Sequence, residues 1–217
     1  SSTDSDINFQ RYNSSGVAQG SNTKANTYTT STQIAPDIAV ADNGSFVITW
    51  NSSGQDGSSS GVYAQRFNAS GVAQGTEFRV NTYTSGDQFI SNVAAASDGS
   101  FVVSWESNGQ DGSSYGIYAQ RYDASGVAQG SEFRVNTYTT SAQQNSNLDM
   151  NDNGDFVIAW QSNGQDGSDL GIYAQQFDKL GNKVGGETLV NTTTLNAQQE
   201  PSVAYSGTKA VVVWGGN

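Results

Sequence analysis

The chain has no cysteine and no histidine, only 2 prolines, and charged side chains at just 13% of its 217 residues. Without cysteine there is no disulfide framework and no thiolate metal site, although export from the cell needs neither. Without histidine the commonest general base and metal ligand is missing. No apolar run approaches the roughly 18 residues a membrane-spanning helix needs, so membrane insertion is not expected. Lys and Arg number 9 against 20 Asp and Glu, giving a net charge of −11. A phosphate backbone would be repelled, and no basic cluster offsets this, so nucleic acid is not expected as a partner. No segment repeats its apolar residues with a helical period, so no helix is predicted. The chain opens at Ser1 without Met or a leader-like segment, and reads as a mature or excised fragment.

What the chain does have is glycine (25 residues), aromatics (11%) and many Ser, Thr, Asn and Gln residues, arranged as a repeat. Trp50, Trp105 and Trp160 stand 55 residues apart, and Trp214 follows after 54. Asn26, Asn81, Asn136 and Asn191 keep the 55-residue spacing, as do Ile7, Val62, Ile117 and Ile172. A strict period of this length marks a repeat architecture. Within one unit four short strands are predicted: Ser91–Ala96, Phe101–Glu106, Ile117–Tyr122 and Glu132–Thr137. Turn chemistry separates them, Ser97-Asp98-Gly99 in one place and Asp123-Ala124-Ser125-Gly126 in another.

Four antiparallel strands per unit describe a propeller blade. The first strand is rich in small residues (Ala39, Ala41, Ala94, Ala95, Ala96), as a crowded wall around an axis requires. The second is the most apolar (FVITW, FVVSW, FVIAW, VVVW), as burial between blades requires. The expected fold is therefore all-β, one propeller domain over 1–217 with units at about 7–61, 62–116, 117–171 and 172–217. The last unit would be completed by the N-terminus: the chain begins with a third and fourth strand and stops after a first and second. Pairing these would close a ring of four blades and remove two exposed edges. The rival is an open array, a slice of a longer propeller or solenoid. Ser1–Asp6 is expected to rebuild part of the loop that the fourth unit lacks.

The text of the repeat, "GIYAQRYDASGVAQGSEFRVNTYT" followed by "GDFVIAWQSNGQDGS", resembles the tandem repeats of very large secreted bacterial proteins, notably cyanobacterial and marine ones. Such chains often also carry cadherin-like or haemolysin-type calcium-binding modules. The resemblance runs from Ile7 to Trp214 and implies an extracellular or cell-surface place and an adhesive role. It implies no catalytic residues. A more distant likeness to integrin-type and sialidase-type propeller repeats lacks the complete calcium loop of the one and the complete Asp-box of the other.

The loop between the second and third strands recurs as Gln55-Asp56-Gly57, Gln110-Asp111-Gly112 and Gln165-Asp166-Gly167. In a ring these loops project from one face. Asp56, Asp111 and Asp166 are candidate ligands for calcium or for sugar hydroxyls, with Gln55, Gln110 and Gln165 beside them. A Gly/Asp turn copied by repeat duplication explains the same text. Tyr63, Tyr118 and Tyr173 are candidate stacking surfaces for sugars, set among polar neighbours, while the Trp series reads as core. Arg66 and Arg121, with Arg79 and Arg134, are expected to pair with carboxylates such as Glu77 and Glu132. No motif requires a cofactor, and calcium is the cation the loops could take.

Catalysis is not expected. Carboxylate pairs serve glycosidases, yet nearly every carboxylate here repeats, and Asp169, Glu187 and Glu200 sit in turn-like contexts. The reading is a non-catalytic extracellular scaffold module of a surface protein, adhesion-related, and a monomer if the ring closes. The alternative is a multivalent carbohydrate-binding propeller whose weak sites act together. Glycans or other surface proteins are the partners either reading implies.

Overall fold

A computed structural model describes residues 5–216 and shows sixteen strands and no helix among them. They are β1 (Asn8–Tyr12), β2 (Ala18–Lys24), β3 (Gln33–Val40), β4 (Phe46–Ser53), β5 (Ser60–Phe67), β6 (Phe78–Arg79), β7 (Gln88–Ala95) and β8 (Phe101–Asn108). There follow β9 (Tyr115–Tyr122), β10 (Phe133–Arg134), β11 (Gln143–Met150), β12 (Phe156–Asn163), β13 (Leu170–Phe177), β14 (Lys183–Leu189), β15 (Gln198–Ser206) and β16 (Lys209–Gly216). Strands β3–β6, β7–β10 and β11–β14 form three four-stranded antiparallel blades, while β1–β2 and β15–β16 are two-stranded. The fourth strand is only 2 residues long in the first two blades, shorter than the alternation in EFRVNT suggests.

One register repeats from blade to blade. Trp50 faces Tyr63, Trp105 faces Tyr118 and Trp160 faces Tyr173 across the second and third strands. The first strands lie innermost and pack in succession, β3 on β7, β7 on β11 and β11 on β15. Each blade has a forward face that meets the rear face of the next. Forward residues Ala39, Val47, Ala64 and Val80 of the first blade pack on rear residues Val93, Phe101, Val103, Trp105 and Tyr122 of the second. The second and third blades meet in the same way, through Ala94, Val102 and Ala119 against Leu148, Phe156, Ile158 and Trp160. The core is therefore a series of apolar seams, and alternation along each strand supplies both of its faces. Trp50, Trp105 and Trp160 are fully buried, as a core reading requires, but Trp214 is 38% exposed.

Every inner strand carries a bulge near its start. The ladder shifts between Ile34 and Asp37, Phe89 and Asn92, Gln144 and Asn147, and Gln199 and Ser202. The bulge holds Ala35, Ile90, Asn145 and Glu200 at φ between 50° and 55°. That conformation is unfavourable for a side chain with a Cβ, by about 1 kcal/mol or more, and is retained four times because the seams fix the strands around it.

The ring expected to close does not. β16 and β1 are not hydrogen-bonded, and the N-terminal and C-terminal hairpins remain separate sheets. Each hairpin is held by the seam to its covalent neighbour: Ile7 and Ala25 on the first blade, Val203 and Tyr205 on the third. Of the segment expected to rebuild a loop, residues 1–4 lie outside the described residues; Ser5 pairs with Gln33 instead, its carbonyl accepting the Gln33 N–H at 2.9 Å.

Candidate functional site

The loops between second and third strands bring their marked residues together three times, but turn them inward. Asp56 Oδ1 accepts the N–H of Ser58, and Oδ2 lies against Gly61, where a Cβ would stand 2.8 Å away. Asp111 and Asp166 repeat this over Gly116 and Gly171. Gln55, Gln110 and Gln165 donate to Glu77, Glu132 and Glu187, whose other oxygens accept the backbone N–H groups of Thr27, Thr82 and Thr137. Glu187 is thus the third member of a repeated set rather than an isolated carboxylate. Tyr63, Tyr118 and Tyr173 are buried under these loops, less open than their polar neighbours suggested. Burial, with the Asp111 carboxylate beside it, pushes the Tyr118 hydroxyl up to about 12. Among the described residues no three His, Cys, Asp or Glu side chains converge on a point that could hold a metal.

Among the described residues the arginines form no ion pair with a carboxylate. Arg66 reaches across a seam and donates to the carbonyls of Ala124 (2.8 Å) and Ser125 in the next blade. Arg11 does the same to Ala69, and Arg121 to Leu180. The glycine in each receiving turn is required twice over. Gly126 has φ +80°, and a methyl there would stand 2.8 Å from Arg66 Cδ. Arg79 and Arg134 instead fold back on the carbonyls of Asn81 and Asn136. Among the described residues the ion pair is Lys24 with Asp6.

Around Arg11, Arg66 and Arg121 lie three clefts, while a fourth, about 190 Å³, is lined by Asn8, Pro36 and Asp37 without an arginine. A cleft of about 260 Å³ between the first and second blades is lined by Arg66, Phe67, Asn68, Gln74, Asn43 and Phe101. A cleft of about 230 Å³ between the second and third is lined by the repeat-equivalent Arg121, Tyr122, Asp123, Gln129 and Asp98. A third, about 350 Å³, adjoins Phe9, Arg11, Tyr12, Ile38, Val40 and Phe46 at the N-terminal hairpin. Each of these three joins an aromatic floor to a guanidinium and adds amide or carboxylate side chains, Gln10 in the third. Sequence reasoning noted the arginines but not the clefts, because the lining of each comes from two units. Taking Asn43, Phe46, Arg66, Phe67 and Gln74 of one unit with Phe101, 55 positions on from Phe46, would have assembled one.

A second feature lies along the first and second strands of the blades. Four carboxylates that occur in one unit only lie on the two inner strands: Asp37, Glu106, Asp149 and Glu200. Their counterparts are neutral, for example Asn51 and Gln161 at the position of Glu106. Glu106 is fully buried; Oε1 accepts the Asn145 N–H at 2.5 Å, while Oε2 has no partner. Burial pushes its carboxyl up to about 7. Asp37 is half-buried, raised by desolvation, and accepts the Val93 N–H at 2.8 Å. Asp149 accepts the Tyr205 N–H at 2.6 Å, across the third seam. Glu200 is exposed on its bulge.

No protein-family model and no curated protein matches the chain, but solved structures share its fold. A thermostable family-43 glycoside hydrolase superposes with a TM-score of 0.55 at 14% identity, over 88% of this chain and 67% of that one. An α-L-arabinofuranosidase from Lactobacillus brevis gives 0.52 at 10% identity, over 91% and 70%. A protein of unknown function from Dyadobacter fermentans gives 0.53 at 12%, over 79% and 58%. At these identities the likeness is one of fold. It overturns the expectation of a non-catalytic scaffold and, with it, the exclusion of enzyme activity, because propellers of this shape include glycoside hydrolases. The exclusion leaned on absent histidine, which glycoside hydrolysis does not need; two carboxyl groups suffice. It also overlooked Asp37, Glu106 and Asp149, which break the repeat on the inner strands.

Proposed function

We propose that the chain is a carbohydrate-binding propeller whose glycan sites are the clefts at the seams between blades. The observation that carries this is their repetition: equivalent clefts each set a guanidinium and polar side chains over an aromatic floor. That pairing suits a sugar, which offers hydroxyls on its rim and C–H groups on its face. The amide groups of Asn43 and Asn68 donate to no protein atom among the described residues, and remain available to hydroxyls. Several weak sites on one rigid body gain from avidity. The glycoside hydrolases that share the fold add support for carbohydrate as the ligand class. An extracellular place, implied by the resemblance of the repeat to those of secreted proteins, is part of the proposal.

Titration calorimetry with neutral plant and microbial polysaccharide fragments, arabinan oligosaccharides included, tests it. More than one site per chain is expected, with Gln74→Ala and Gln129→Ala each weakening a different site. Both side chains lie at the surface of their clefts, so the unliganded thermal midpoint stays where it was. Absence of heat across the panel would sink the proposal.

A second reading, hydrolysis at the axial end, is favoured by the inner-strand carboxylates that interrupt the repeat. Its probe is release of nitrophenol from para-nitrophenyl α-L-arabinofuranoside, with loss of turnover in Asp37→Asn. Turnover that survives that substitution rejects Asp37 as the group involved.

A further inference from the structure

The two unpaired ends of this molecule are complementary surfaces, and the repeat says how they fit. Ile38 on β3 corresponds to Val93, Leu148 and Val203, which are 6–8% exposed because a preceding inner strand covers them; Ile38 is 51% exposed. Val40 beside it is exposed as well. The N-terminal hairpin covers the outer half of this rear face through Ile7, Phe9 and Ala25, leaving the inner half bare and continuous with an interface already formed. At the other end, Val211 on β16 corresponds to Val47, Val102 and Val157, which are 2–4% exposed, yet it is 62% exposed. Val213 and Ala204 stand on the same forward face. The bare rear face has the form that receives a hairpin such as β15–β16 elsewhere in the molecule, and the bare forward face of β15–β16 has the form that receives a blade.

The strand edges agree. Carrying the register of second and third strands over by one repeat sets Trp214 opposite Asn8, Val213 opposite Phe9, Val212 opposite Gln10 and Val211 opposite Arg11. Both edges are open in the same molecule, since β15–β16 is seated on the third blade and does not pair with β1. We infer that these ends are the two halves of a head-to-tail contact between copies of the chain. The β15–β16 hairpin of one copy seats on the first blade of the next, and its β16 pairs with that copy's β1. Such a contact is heterologous and repeats from copy to copy. It removes both exposed edges, which are otherwise templates for uncontrolled pairing. It also roofs the N-terminal cleft, now larger than its two counterparts, and brings it to their form.

The absence of cysteine makes the test direct. Gln10→Cys and Val212→Cys are prepared separately, mixed and oxidised, both positions being partly exposed. A disulfide-linked pair of the two variants is expected, in clear excess over either variant linked to itself. Cross-strand neighbours lie within the 4.4–6.8 Å Cα separation that a disulfide tolerates. The companion measurement is sedimentation of the chain carrying Val211→Glu and Val213→Glu. Both side chains are exposed, so it folds, and it is expected to lose the concentration-dependent rise in mass of the parent chain. Two outcomes overturn the inference. One is an internal disulfide in a chain bearing both cysteines with no linkage in the mixture, which means that the ring closes on itself. The other is linkage in the mixture no greater than that of cysteines placed on β2 and β14. Neither outcome touches the glycan sites of the first and second seams.

Discussion

At the scale of single residues, what repeats holds the fold and what breaks the repeat carries chemistry. Asn26, Asn81, Asn136 and Asn191 show the first: each side chain caps the N–H of Ile7, Val62, Ile117 or Ile172 at 2.7–2.8 Å. Glu106 shows the second. Folded, it keeps its proton up to about pH 7, whereas the ordinary value is 4.5. The folded state therefore binds more protons between those values, and stability falls as pH rises through that window. This contribution is complete below pH 4.5 and lost above pH 7. Glu106→Gln keeps the acceptor and copies Gln161, which occupies the equivalent site and accepts the Glu200 N–H at 3.2 Å. The variant should match the parent in acid and exceed it at pH 8 by on the order of 3 kcal/mol. Urea unfolding of both proteins at several pH values measures the difference. A gap that does not change with pH would mean that Glu106 is ionised in the folded chain.

At the scale of elements, the seam is the unit of stability. β4, β8, β12 and β16 have nearly the same sequence but different numbers of neighbours. β8 lies between two seams, with Trp105 at 0% exposure, while β16 has a blade on one side only. Trp105→Ala should cost about 3–5 kcal/mol, the usual range for a large core aromatic. Trp214→Ala should cost well under half of that, because its ring keeps solvent contact and one bond, Nε1–H to Gln198 at 3.0 Å. Chemical unfolding of the two variants compares them. Equal losses would mean that β16 is buried in solution, by closure or by association. The alternation in FVVSW identified these residues as core, but the apolar run before Trp that all four copies share hid the difference between them, since exposure depends on the neighbour and not on the strand.

At the scale of the molecule, a row of seams predicts graded protection. Repeat proteins are held by nearest-neighbour interfaces, and the terminal units have one each. Amide exchange in the dispersed chain should therefore be fastest in β2 and β16 and slowest in β8, β9, β12 and β13, where both faces are covered. On raising the protein concentration, β16 and β1 should become protected together. Protection of β16 that rises without β1 would argue against the head-to-tail register.

The sequence by itself determined the repeat, the blade and its strand order. Those follow from local terms: alternation sets which side chains share a face, and turn residues such as Gly126 set where strands reverse. It marked the whole tryptophan series as core, which holds for Trp50, Trp105 and Trp160 and not for Trp214. Only the tertiary structure decided whether the ends meet, because closure depends on the angle between blades, summed over four seams, and no single unit encodes that angle. It alone decided where concave surfaces form, since Arg66 and Ala124 lie 58 positions apart and meet across a seam. It likewise decided the state of Glu106, whose carboxyl is raised by burial in the seam, a rise that the Asn145 N–H opposes.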